Sequence, residues 1–248
     1  MNCRLGLILA AIAVITSGCA TKPQQPISLA QDAIGAKSGR VGVAMTKLPK
    51  LDTQIPGAGC LLCLAAATVA NSSLTTHAQT LPYDDLTSIK ESVAKLLRDK
   101  GTDAIVIDEY LDLDALPAFD GAGENIAKKD FTALGKKHNI NRLFVIEMKA
   151  LGFIRTYSAY VPTSDPKAYF NGDGYLLDLK TNAYNWYLPV VVTKSADGKW
   201  DEPPTFPGLT NAYFQAVEIG KDTLLKPING DVARPATLGS AQSPSTVR

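Results

Sequence analysis

Two cysteines at a spacing of three, Cys60 and Cys63, form the pattern in this chain that is best suited to chemistry. A C-x-x-C pair can close a disulfide, exchange disulfides with other thiols or supply two ligands to zinc. The flanking residues are apolar, and such surroundings disfavour the thiolate that redox catalysis needs. Zinc needs further ligands, and His77 is the nearest candidate. A local disulfide and two buried free thiols therefore stay open as expectations, and we predict neither a metal nor a cofactor.

Acidic residues and histidines are the other candidates for catalysis or metal binding. Five carboxylates lie within one stretch: Asp108, Glu109, Asp112, Asp114 and Asp120. The stretch lacks the glycine and the distal glutamate of a calcium loop, so we interpret it as a solvated loop. His138 ends a predicted helix, where a positive charge is mildly favoured, and this explains it without catalysis. We identify no catalytic signature and predict that the protein is not an enzyme.

An apolar insert at residues 55–70 contains the cysteine pair. From residue 57 to residue 70 no side chain is charged, and Thr68 is the only polar one. As a helix these residues would be ~21 Å long, which is too short to cross the ~30 Å hydrocarbon core of a bilayer. Two hypotheses stay open. The insert is either a buried helix whose small residues allow close packing, or a surface that contacts a membrane or a sister subunit. The contact residues would be Leu61, Leu62, Leu64 and Val69.

The beginning of the chain has the pattern of a secretory signal peptide. Arg4 precedes a nearly unbroken apolar run, and small residues at 16–18 precede Cys19. The pattern resembles the signal of bacterial lipoproteins, in which the cysteine after the cleavage site is acylated. The resemblance implies cleavage after residue 18 and a lipidated Cys19. Because Ala20 follows rather than aspartate, it also implies the outer membrane, with the domain facing the periplasm. Ordinary secretion after cleavage near Gly18 is the alternative.

Charge and composition define the rest of the chain. Lys and Arg number 25 and Asp and Glu 24, so losing Arg4 with residues 1–18 leaves a formally neutral chain without a basic block. Nucleic acid is therefore not expected as a partner. Residues 19–38 are predicted to form a flexible tether. Residues 229–248 are predicted to be disordered, because they have too little apolar surface to offset their ordering entropy. A single domain is left over residues 39–228.

The order of the elements predicts the fold class. Periodicity and capping indicate, in order, a strand at 40–45, helix at 82–100, strand at 104–108, helix from the N-cap Asp130 to 138, strands at 142–157, 169–180 and 184–194, and a helix capped by Thr210. The order β-α-β-α-β-β-β-α predicts an α/β (α+β) fold. We expect a mixed sheet of about five strands with helices mainly on one face, plus the helical insert.

One segment carries a resemblance at the level of a family. In residues 174–189, GYLLDLKTNAYNWYLP, a strand ending in Asp178 leads through a turn with Thr181 into a strand with Trp186. With the element order and the signal, this resembles periplasmic lipoproteins of the curli-secretion-channel, ABC-transport-auxiliary and penicillin-binding-protein-activator group. The resemblance implies a protein that acts by assembling with copies of itself or with other envelope proteins.

These observations together predict a function. We expect an outer-membrane-anchored periplasmic lipoprotein, held on the membrane by the acyl chains of Cys19. It would act as a non-catalytic assembly component of envelope machinery for secretion, transport or cell-wall maintenance. The alternative is a module that binds a small ligand or lipid in a pocket lined by the insert, and an envelope enzyme is the weaker alternative.

Overall fold

A mixed sheet with the strand order β3-β1-β4-β7-β8 organises the protein. The computed structural model describes residues 23–30 and 32–230. The fully buried strand β1 (Val41–Met45) pairs in parallel with β3 (Ala104–Val106) and with β4 (Arg142–Ile154). The long strands β7 (Lys167–Asp178) and β8 (Ala183–Ser195) complete the sheet in antiparallel pairing. Crossovers thus produce the parallel half and hairpins the antiparallel half, which confirms the predicted mixed sheet.

Within the described residues, three short strands and five α-helices complete the fold. The strand β2 pairs in parallel with the end of β4, and β5 and β6 form a separate hairpin between β4 and β7. A 3₁₀ turn, Asp84–Ser88, leads into α3. The bounds of these elements are β2 Asp52–Gln54, β5 Tyr157–Ser158, β6 Val161–Pro162, α1 Leu61–Ala70, α2 Ser72–Ala78, α3 Ile89–Asp99, α4 Thr132–His138 and α5 Pro207–Asn229.

The main core lies between one face of the sheet and the helices α3 and α5. In α3 the apolar residues Ile89, Val93 and Leu97 recur every four positions and are buried, as expected for a helix with one apolar face. Helix α5 packs on β7 and β8, and Gly220 brings its backbone so close to the Phe170 ring that an added Cβ would lie 2.6 Å from it. The predicted placement of helices mainly on one face is confirmed.

The second face of the sheet is covered over only part of its length. The long acidic loop and α4 cover the half near the start of β4, where Phe131, Leu143 and Tyr175 are buried together. Asn182 fastens this cover: its side chain accepts from the Phe131 N–H and donates to the carbonyls of Ala127 and Lys129. Toward the end of β4, Lys149 is exposed on the uncovered half.

Two predicted boundaries differ from the structure. The tether was expected to reach residue 38, but Ile27 exchanges two main-chain hydrogen bonds with Tyr187, and Ala33 is buried. The flexible tether is therefore wrong from residue 27 onward. The last helix begins at Pro207 rather than after Thr210, because proline suits the first helical position. The predicted signal peptide, lipidation of Cys19 and tail after residue 230 lie outside the described residues.

Candidate functional site

Helix α1 exposes most of its apolar side chains. Only Cys63 and Ala67 are buried, whereas four large side chains face solvent: Leu61 84%, Leu62 70%, Leu64 46% and Val69 75% exposed. The hypothesis of a buried helix is therefore wrong for α1. A helix without a charged side chain is normally buried, so this exposed surface is the most unusual feature of the described structure.

A small satellite core holds α1 on the end of the sheet. Cys63 and Ala67 pack against Tyr157 of β5 and against Ala58. Asn71, between α1 and α2, is buried and donates through Nδ2 to the Tyr157 hydroxyl and to the Ala67 carbonyl, both at 2.7 Å. These contacts fix α1 although its outer side is largely exposed.

The β5–β6 hairpin extends the same apolar surface. Tyr160 is 55% and Val161 63% exposed at the turn of the hairpin, and the Tyr160 hydroxyl lies 3.7 Å from Cys60 Sγ. We call α1 together with Tyr160 and Val161 the apolar tip. It projects beyond the end of β4 and contains the four residues for which a membrane or subunit contact was predicted.

The two cysteines lie at the beginning of the apolar tip. The structure joins Cys60 and Cys63 in a disulfide. Cys60 is the N-cap of α1, and its Sγ accepts the Cys63 N–H at 2.9 Å. Cys60 is exposed and Cys63 is buried, so the pair fastens the first turn of the helix to the satellite core. No group of three potential metal ligands occurs in the part of the chain that the structure describes.

The histidines and the acidic loop have packing partners. The His77 ring lies beside the Phe153 and Phe206 rings, and its Nε2 is 2.7 Å from the Thr210 hydroxyl. Burial lowers the pKa of His77, which suits a neutral ring that ties α2 to α5. Glu109 accepts from Lys137 and lies 3.3 Å from His138 Nε2. The structure brings neither histidine together with the cysteine pair, and the Thr210 hydroxyl beside His77 donates to the Thr205 carbonyl.

A polar network inside the sheet was not predicted. Asp173 of β7 is buried, and it accepts from the Tyr187 hydroxyl and, at 2.5 Å, from Lys149 Nζ. Glu147 lies opposite Asp173 on β4, and the Tyr175 hydroxyl donates to it at 3.3 Å. Burial, opposed by nearby Lys149 and reinforced by Asp173, raises the pKa of Glu147. These residues occupy alternate strand positions, which the sequence pattern assigns to a solvent-exposed face. Nothing in the sequence therefore indicated that they are buried.

The two edges of the sheet differ. At β3, Arg98 Nε of α3 donates to the Ala104 carbonyl, and Lys90 donates to the carbonyl of Ile107. At the outer side of β3, one carbonyl is thus occupied by a cationic side chain, that of Arg98. At β8, Tyr187 turns its N–H and carbonyl outward to Ile27. Because outward groups alternate along a strand, those of the residues at 189, 191, 193 and 195 also face outward. No main-chain partner for them occurs among the described residues. We call the β8 stretch from 189 to 195 the open edge.

A groove follows the open edge. It lies between β8, α5 and residues 26–30, with a volume of about 1220 Å³. Its walls include the apolar side chains of Leu188, Val192 and Ile219. Lys100 and Lys226 are the charged residues of the lining, and Lys226 lies near the end of α5. A second cavity of about 180 Å³ lies under the acidic loop. The apolar insert lines neither cavity, so these cavities do not support the pocket of the alternative function.

Over residues 23–30 and 32–230, no helix is both long enough and apolar enough to cross a bilayer.

Comparisons with known proteins give only distant likenesses. No family model and no curated protein matches the chain. A PelC dodecamer from Paraburkholderia phytofirmans is 11% identical with a TM-score of 0.31, covering 82% of this chain and 94% of that chain. A DUF330 protein from Xanthomonas campestris is 13% identical with a TM-score of 0.40, covering 84% and 94%. Lipoprotein GNA1162 from Neisseria meningitidis is 11% identical with a TM-score of 0.25, covering 73% and 98%. These values are too low to assign the chain to a family.

Proposed function

We propose that this protein is an outer-membrane-anchored periplasmic lipoprotein that acts as a non-catalytic assembly component of envelope machinery. The lipoprotein pattern ending at Cys19 supports the anchor. The open edge of β8 carries the assembly role, because it presents a row of unpaired main-chain groups beside an apolar groove. Its partner is an extended segment of another envelope protein, which adds to the sheet as a further strand.

The pairing of Ile27 supports strand addition. This residue of the chain's own extended segment already bonds to the β8 edge, with N···O distances of 2.9 and 3.1 Å. The geometry of the edge is therefore suited to an antiparallel strand. In strand addition, main-chain hydrogen bonds supply affinity, and pockets for alternate side chains supply specificity. From residue 189 to residue 195 the edge is about 20 Å long, which accommodates a strand of typical length.

Charge and size define the chemistry of the partner. A volume of about 1220 Å³ exceeds the range of about 300–1,000 Å³ for small-molecule sites, so a peptide segment suits the groove better than a small ligand. Lys100 and Lys226 contribute positive charge, and no acidic residue lines the groove. The partner segment therefore carries apolar side chains along the edge and a carboxylate near these lysines.

In-cell photocrosslinking tests this proposal. A photoreactive amino acid at Val191, which is 61% exposed, is expected to give one discrete product with another envelope protein. Thr193→Pro removes one outward N–H and is expected to abolish this product. The fold should tolerate the change, because Pro189 already occupies an outward position of the same edge. Thr193→Ala keeps the N–H and is expected to retain the product.

Two results would contradict the proposal. A product of twice the chain mass that contains only this chain would identify the partner as a second copy. Equal products from the Thr193→Pro and Thr193→Ala variants would show that main-chain pairing is not the mode of contact. A photoreactive residue at the exposed Lys95 of α3 serves as the control and is expected to give no discrete product.

A further inference from the structure

We propose that the apolar tip inserts into the surface of a phospholipid bilayer and forms a second membrane contact beside the predicted lipid anchor. This contact is distinct from the open edge and from the partner bound there. Three observations support a bilayer as the occupant: the arrangement of the exposed residues, the size of the surface and its lack of charge.

The exposed residues of α1 form one continuous face. At about 100° per residue, Leu61, Leu62, Leu64 and Val69 cover an arc of about 160° on the helix. Cys63 and Ala67, which pack on the satellite core, lie on the opposite side. The helix therefore lies on the protein with its apolar side directed outward. This is the orientation in which interfacial helices enter the boundary between headgroups and acyl chains.

The tip is small for a protein interface. Helix α1 has ten residues, so it is about 15 Å long and about 10 Å wide. A stable protein interface buries about 800 Å² on each partner and involves about 20–30 residues a side, whereas the tip comprises the ten residues of α1 with Tyr160 and Val161. A bilayer imposes no such minimum, because it surrounds whatever side chains enter it. The size of the surface thus favours lipid over a second copy of the chain.

No charged group would have to leave water when the tip inserts. No Lys, Arg, Asp or Glu occurs from residue 53 to residue 83, which includes all of α1 and α2. The hairpin is likewise uncharged from residue 156 to residue 164. Insertion therefore depends on apolar burial rather than on attraction to anionic lipid, and it should respond weakly to salt.

Vesicle flotation of the full mature chain with Cys19→Ser tests this inference without the lipid. The protein is expected to float with phosphatidylcholine vesicles, and adding phosphatidylglycerol or salt should change the bound fraction little. Leu61→Ser with Leu62→Ser is expected to weaken partitioning by about ten- to a hundredfold. Both side chains are exposed, so this variant should fold normally, which circular dichroism checks.

A matched variant isolates the tip. Tyr110→Ser with Phe214→Ser removes side chains that are 49% and 43% exposed elsewhere, and it is expected to float like the parent. The inference is overturned if the Cys19→Ser protein does not float, or if the two double variants float equally. It is also overturned if light scattering shows that the parent protein is a dimer and that the variant with Leu61→Ser and Leu62→Ser is a monomer. The tip would then be a subunit interface. None of these three outcomes bears on Val191 crosslinking, so the two proposals can fail separately.

Discussion

Replacing Tyr187 with phenylalanine is expected to destabilise the folded protein by about 1.5–3 kcal/mol. The Asp173 side chain is only 4% exposed and receives two donors, the Tyr187 hydroxyl and Lys149 Nζ. A hydrogen bond to a charged group contributes about 1.5–3 kcal/mol, and its loss here leaves a buried carboxylate with one donor. Lys149 is 40% exposed, so solvent screens that ion pair, and Lys149→Met should be the milder change.

Urea unfolding measures this effect, and thermal unfolding gives an independent value. For a domain of about 200 residues, the loss corresponds to a fall in Tm of about 3–12 °C. Tyr184→Phe is the matched control, because Tyr184 belongs to the same ring cluster and its hydroxyl has no partner among the described residues. Its expected change is below about 0.5 kcal/mol. The reasoning is refuted if Tyr187→Phe is as mild as Tyr184→Phe.

Two further perturbations test the network and the tip. Burial raises the pKa of Glu147, so the folded protein holds the Glu147 proton more tightly than the unfolded chain does. The free energy of unfolding is therefore highest below the ordinary carboxyl pKa and falls as pH rises from there to the raised value. Glu147→Gln should therefore gain stability over the parent between about pH 4 and pH 7; a constant difference in urea midpoints would contradict this. Reducing the Cys60–Cys63 disulfide frees a four-residue loop, whose closure is worth about 2 kcal/mol. Amide exchange in α1 should then accelerate about 20- to 30-fold while β7 is unchanged, and equal exchange in α1 would show that the disulfide does not fasten the tip.

The sheet and helix α3 were predictable from the sequence because the residue patterns that indicate them lie within single elements. β1 is a short apolar run that is buried throughout, and the four-residue spacing of Ile89, Val93 and Leu97 marks α3. Both patterns reflect how much apolar surface one element must bury. The apolar composition of residues 57–70 was equally visible, but composition does not show what covers a helix. Among the described residues, only Cys63 and Ala67 of α1 are buried against the body of the protein.

The features that sequence reasoning missed depend on distant parts of the chain. Asp173 is buried because Tyr187 and Lys149 converge on it from neighbouring strands. An acidic residue in an alternating strand is otherwise typical of a wet face. The packing of Ile27 likewise depends on Tyr187 of β8, and that of Ala33 on Arg142, both of which lie far along the sequence. Thr210 has the composition of an N-cap, yet Pro207 begins the helix one turn earlier.

The difference between the two edges of the sheet limits how this protein can associate. Arg98 binds the Ala104 carbonyl at the β3 edge, whereas the β8 edge presents main-chain groups that have no partner among the described residues. A strand can therefore add at β8 more readily than at β3, and the two edges are unequal templates for extending the sheet. A cationic side chain at an edge also disfavours edge-to-edge aggregation, so the sheet of one molecule is poorly suited to continue into the sheet of the next.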